Sequence, residues 1–172
     1  MSTLNWTYDV RELAGGALDV AREAEPAERA AIAAQLDLLS CESFKVQYRL
    51  RRLDQGRAAL SGNLEADITQ SCVVTLEPVV SRLGGAFDLE LWPASELPAV
   101  GDGTIDPLAD DEPEAIEDGT VDVGRIVLER LVDLIDPYPR KPGAVASWAD
   151  EKATASRSEG PFAKLKNFGG RS

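Results

Sequence analysis

Residues 43–53 read SFKVQYRLRRL, and their alternation decides the fold. Phe44, Val46, Tyr48 and Leu50 fall on one side of an extended chain, with Lys45, Gln47, Arg49 and Arg51 on the other. A period of two sends successive side chains to opposite faces of a sheet, so this stretch is a strand with one buried face and one wet face. The DQG tripeptide at 54–56 is turn chemistry, and the chain returns through Leu60, Leu64 and Ile68. Gly62 in that return marks a bulge or a close backbone approach. Residues 73–80 predict a third strand, and Phe87, Leu89 and Leu91 a fourth.

Working outward, Leu4, Trp6, Tyr8 and Val10 alternate as an opening strand, and Leu18 and Val20 predict a short one after the break at Gly15 and Gly16. Pro26 suits a first helical turn, so EPAERAAIAAQLDLLS (25–40) reads as a helix with Ile32, Leu36 and Leu39 as its buried stripe. TVDVGRIVLERLVDLIDPYP (120–139) is the strongest helix, with Asp122 as N-cap and Ile126, Val127, Leu131, Leu134 and Ile135 as its apolar face. Arg125 and Glu129 are four apart and can pair, and Pro137 and Pro139 end the run. The expected fold is α+β: an antiparallel sheet or partly closed barrel-like meander packed with two main helices, an acidic loop and a basic C-terminal tail.

A single domain is expected over residues 1–140, with an exposed, mobile acidic loop at about 93–119. Between Leu83 and Gly124 there are 12 acidic residues and no lysine or arginine. The remaining 141–172 reads as a mostly flexible tail with a docking segment at 160–168. The net charge of −12 opposes non-specific nucleic-acid binding but permits a local basic face. The opening MSTLNWTYDV lacks the features of a signal peptide, and no run approaches the roughly 20 apolar residues of a membrane span. The expectation is a cytoplasmic protein that does not engage a membrane.

There is no histidine, which removes the usual general base and the commonest metal ligand. Cys41 and Cys72 have no metal-ligand spacing, and the phase of Leu64, Ile68 and Gln70 turns Cys72 inward or leaves it at the sheet edge, which favours a buried structural residue. DGTIDPLADDE lacks the spacing of a calcium loop, and no phosphate-binding glycine loop occurs. We therefore expect no enzyme, no cofactor, no metal and no small-molecule substrate. Binding remains. Lys45, Arg49, Arg51, Arg52 and Arg57 cluster on and beside one hairpin and are candidate RNA contacts through phosphates. The competing reading is a polar outer face whose cations pair with the acidic loop.

ITQSCVVTLEPVV (68–80), TVDVGRIVLERLVDLIDPYPR (120–140) and GPFAKLKNF (160–168), in this order and spacing, resemble the YceD-like large ribosomal RNA subunit accumulation proteins, most closely their alphaproteobacterial branch. The resemblance implies a non-enzymatic ribosome-biogenesis factor supporting accumulation or processing of large-subunit (23S) ribosomal RNA. Direct RNA contact, protein chaperoning and control of a nuclease are all compatible with it. Many such proteins carry two cysteines separated by two residues at the third strand; here the first is Cys72 and the second position is Thr75, so a paired metal knuckle is absent. Pro161, Phe162 and Leu165 match the terminal segment of these proteins, and together with Lys164 and Lys166 they are docking candidates. Asp110, Asp111 and Glu112 in the acidic loop are candidates for attracting a basic ribosomal protein, the alternative to direct contact with ribosomal RNA or the pre-ribosomal large subunit.

Overall fold

The computed structural model describes residues 3–13, 16–97 and 113–145. Strand β1 (Thr7–Asp9) is followed by β2 (Ala17–Glu23), helix α1 (Pro26–Gln35), β3 (Ser40–Arg52), β4 (Ala58–Ser71), β5 (Pro78–Pro93), β6 (Glu114–Ile116), β7 (Thr120–Asp122) and helix α2 (Val123–Leu134). The main sheet has five strands in the order β2-β3-β4-β5-β6, and β1 with β7 forms a separate ribbon. The pairs from β2 to β5 are antiparallel, and β6 runs parallel to β5. The α+β meander expected from the sequence is the observed architecture, with one parallel edge strand added.

The alternation in β3 survives residue by residue: Phe44, Val46, Tyr48 and Leu50 are buried and the residues between them exposed. They join Leu60, Leu64 and Ile68 of β4 and Phe87, Leu89 and Leu91 of β5 in one core, which α2 closes with Ile126, Val127 and Leu131. Asp122 caps α2 by accepting a hydrogen bond from Arg125 N at 2.9 Å, and Arg125 pairs with Glu129 at 2.7 Å, both as expected. Gly62 is a close approach rather than a bulge. A Cβ there would lie 2.3 Å from Gln47 O and 2.9 Å from the Phe87 ring. The register irregularity in this hairpin sits instead between Cys41 and Ser43.

Three local expectations change. The opening strand shrinks to Thr7–Asp9, because only those residues find a partner in β7, although Leu4, Trp6 and Val10 are buried as the alternation required. Helix α1 stops at Gln35 and Asp37 turns the chain at φ 53, so Leu39 leaves the helical stripe and is 57% exposed. Residues 73–77 are a turn, and the two strands expected around Val80 and Phe87 are one strand, β5. Cys72 N donates to Glu77 O at 2.8 Å and Leu76 N to Cys72 O at 2.9 Å, which closes the turn before Pro78 begins the strand. Gly84 and Gly85 do not interrupt β5. Leu134 of α2 lies 3.0 Å from where a Gly85 Cβ would stand, so the glycine admits the helix.

The acidic stretch between Leu83 and Gly124 is built at both flanks, through β5 on one side and β6 and β7 on the other; its centre, 98–112, lies outside the described residues. No helix among the described residues is long and apolar enough to cross a membrane.

Candidate nucleic-acid interface

The wet face of β3 carries Lys45, Arg49 and Arg51, and strand register determines what each meets. Lys45 stands opposite Glu23 of β2 and Arg49 opposite Asp19, giving ion pairs of 3.8 and 3.7 Å. All four side chains are more than half exposed, so each pair contributes at most about 1 kcal/mol and is easily exchanged for another anion. Arg51 differs. Its direct neighbours are Ala17 on β2 and Ala59 on β4, so no carboxylate is in register with it. Arg52, at the exposed end of the same strand, donates to the main-chain oxygen of Arg11 at 3.5 Å, not to a carboxylate.

Arg57 follows the hairpin turn. Its Nε pairs with Glu96 at 2.9 Å, and its guanidinium lies 3.9 Å from the centre of the Trp92 ring. The register of Ala58 with Leu91 makes this contact, because it places Trp92 beside Arg57. The five sequence candidates thus divide into a paired couple (Lys45 and Arg49), a stacked arginine (Arg57), and Arg51 and Arg52 with no ion pair among the described residues. The cations pair chiefly with β2; only Glu96 comes from the acidic stretch.

Arg11 and Trp92 join this hairpin end without having been singled out in the sequence. Arg11 is 71% exposed and is braced by Asp9, whose carboxyl the Arg11 guanidinium holds down to about 2. The outer face also has an open depression of about 460 Å³, lined by Asp19, Ala21, Gln47, Arg49 and Ser61. Together these groups form a rim of planar guanidinium forks around the β3–β4 turn, suited to bidentate phosphate contact.

Cys72 lies at the other end of β4. It is fully buried, as its phase predicted, and both cysteines are free thiols. Its Sγ accepts the backbone N–H groups of Lys141 at 3.4 Å and Thr75 at 3.5 Å. The Lys141 N–H first and the Thr75 hydroxyl second outweigh burial and hold the thiol down from 9.0 to about 6. Thr75, in the second cysteine position, supplies an N–H to the sulfur instead of a second thiolate. Burial pushes the Cys41 thiol up. Cys72 is a tie between a turn and the segment after α2, with its sulfur enclosed. Among the described residues no group of three or more cysteine or carboxylate side chains is placed to hold a metal ion.

Asp110, Asp111, Glu112, Pro161, Phe162, Lys164, Leu165 and Lys166 lie outside the described residues. A family model described as "Large ribosomal RNA subunit accumulation protein YceD" matches residues 60–169, more than half of the chain. The matched stretch begins in β4, after the five cationic candidates, and includes the Cys72 turn, α2 and the C-terminal segment. No curated protein and no solved structure matches.

Proposed function

The chain belongs to the YceD family of large ribosomal RNA subunit accumulation proteins, and from that membership we propose that it acts by binding the large-subunit (23S) ribosomal RNA precursor, or the pre-ribosomal particle, in the cytoplasm and without catalysis. Membership supports the process, accumulation of large-subunit ribosomal RNA. The mode of contact is our reading, and one observation carries it: Arg51 and Arg52 stand exposed at the hairpin end with no carboxylate in register, beside Arg11 and the Arg57–Trp92 stack. Guanidinium groups grip phosphate oxygens, and an arginine held over an indole offers a surface on which an unpaired base can stack. Lys45 and Arg49 add charge once RNA phosphate displaces Glu23 and Asp19. The alphaproteobacterial placement rests on the resemblance of the quoted segments alone.

RNA binding measured across salt concentrations tests this. Reversing Arg51 and Arg52 to glutamate removes two phosphate contacts, so the slope of log affinity against log salt should flatten by about 1.4 for single-stranded RNA. Affinity and slope equal to those of the unaltered protein would remove the rim from the account. A second reading is supported by the 12 carboxylates between Leu83 and Gly124. Asp110, Asp111 and Glu112 would hold a basic large-subunit ribosomal protein before it meets RNA. D110N/D111N/E112Q then releases that partner while RNA association persists.

A further inference from the structure

The end of the sheet opposite the arginine rim carries a set of exposed apolar side chains. Four contacts there tie the end of β4 and the Cys72–Glu77 turn to the chain leaving α2. Gln70 Nε2 donates to Asp136 O at 3.0 Å, Val73 N to Pro139 O at 2.9 Å and Lys141 N to Cys72 Sγ at 3.4 Å, while Lys141 Nζ pairs with Glu77 at 3.1 Å. Of the seven large apolar side chains exposed among the described residues, five gather at this end: Leu39, Val73, Leu76, Val80 and Tyr138. Their proximity is set by the backbone. Leu39 N donates to Thr69 O, Thr69 pairs with Val80, and Val73 bonds to Pro139, the neighbour of Tyr138. Single exposed apolar residues are ordinary, but a gathering of them marks a surface that something covers. Glu42 borders it. Its carboxylate accepts from the hydroxyls of Ser40 and Thr69 and has no ion pair among the described residues.

We propose that the chain's own C-terminal segment covers this patch, with Phe162 and Leu165 over Leu39, Leu76 and Val80, and with Lys164 and Lys166 supplying the counter-charge to Glu42. The clasp at Lys141 determines where the rest of the chain begins, at the edge of the patch itself. The 16 residues 146–161 can reach at most roughly 55 Å, and a random chain of that length has a root-mean-square span of roughly 20–25 Å. Such a tether gives a local concentration on the order of millimolar, enough to populate a contact too weak for a free peptide. The apolar residues of GPFAKLKNF match the patch and its two lysines match Glu42. This inference is independent of the RNA reading.

The test places photoreactive p-benzoylphenylalanine at position 162 of the full chain, irradiates dilute protein, and maps the products of single-chain mass. The expected crosslinks join position 162 to Leu39, Tyr138 or residues 73–80, and they disappear in L76K/V80K. Both substituted positions are solvent-exposed, so circular dichroism should show the fold retained. Crosslinks only between two chains would assign the patch to a second copy. Crosslinks elsewhere on the domain, unchanged by L76K/V80K, or no crosslink at all would equally overturn the proposal.

Discussion

Alanine at position 62 gives the sharpest test of the sheet that carries both ends of the molecule. Gly62 lies on the inward face, in register with Tyr48 on one side and Phe87 on the other. A Cβ at this position would stand 2.3 Å from Gln47 O, 2.8 Å from Tyr48 Cα and 2.9 Å from Phe87 Cζ. An ordinary carbon–oxygen contact is about 3.3–3.6 Å, so β3 and β4 would have to part by about 1 Å. Two of the three obstacles are main-chain atoms of β3, which cannot swing aside as a side chain can. Overpacking costs roughly 1–3 kcal/mol, and this geometry places Gly62→Ala near the upper end, at about 2–3 kcal/mol. Gly84→Ala is the internal control. Its nearest neighbour, Leu64 O, would be 3.7 Å away, an ordinary contact. Alanine there removes the entropic cost of glycine in a strand, roughly 0.5–1 kcal/mol, so the variant should be neutral or more stable. Urea unfolding at equal slope reads both differences as midpoint shifts. Equal midpoints, or a loss below about 0.5 kcal/mol for Gly62→Ala, would refute the close approach of β3 to β4.

Other outcomes follow from single contacts. Asp122→Ala removes the cap on Arg125 N and should cost about 1 kcal/mol in the same unfolding assay. The Cys72 thiol is depressed from 9.0 to about 6 in the folded state, so between those values the unfolded chain binds more protons. Stability should therefore rise with pH across that window and be lost as pH falls through about 6. Cys72→Ala should flatten the rise, and identical pH dependence in the two proteins would mean that the sulfur is not held as thiolate. Salt titration of RNA binding by R51E/R52E should give the flattened slope described above, whereas Lys45→Ala, which removes a single cation already shared with Glu23, should flatten it by at most about 0.7.

The sheet was readable because its signal is local. Phe44 to Leu50 alternate with polar residues over a single strand, and α2 announces itself through Asp122, the apolar stripe and the proline exit. Where the outcome depended on distant partners, the sequence was mute. Trp6 reads as strand, yet pairing reaches only Thr7–Asp9 because β7 is three residues long. The Val73–Val80 stretch is rich in β-formers, but the hydrogen bonds of Cys72 with Glu77 and Leu76 close its first part, 73–77, into a turn.

The candidate site shows the same division. That Lys45, Arg49 and Arg51 share a face follows from period two, but that Arg49 meets Asp19 and Arg51 meets Ala17 is a matter of register. Arg11 comes from 41 residues away to receive Arg52, and Trp92 reaches Arg57 only through the pairing of β4 with β5. The inward direction of Cys72 was legible. Its bond from Lys141, 69 residues further on, was not.

Ultraviolet crosslinking in cells, with both RNA and protein partners recovered from the same tagged chain, bears most directly on the function. Precursor large-subunit ribosomal RNA should be recovered with the unaltered protein and depleted with R51E/R52E. Recovery of a basic protein without RNA, or RNA recovered undiminished with the variant, would contradict the RNA-binding reading.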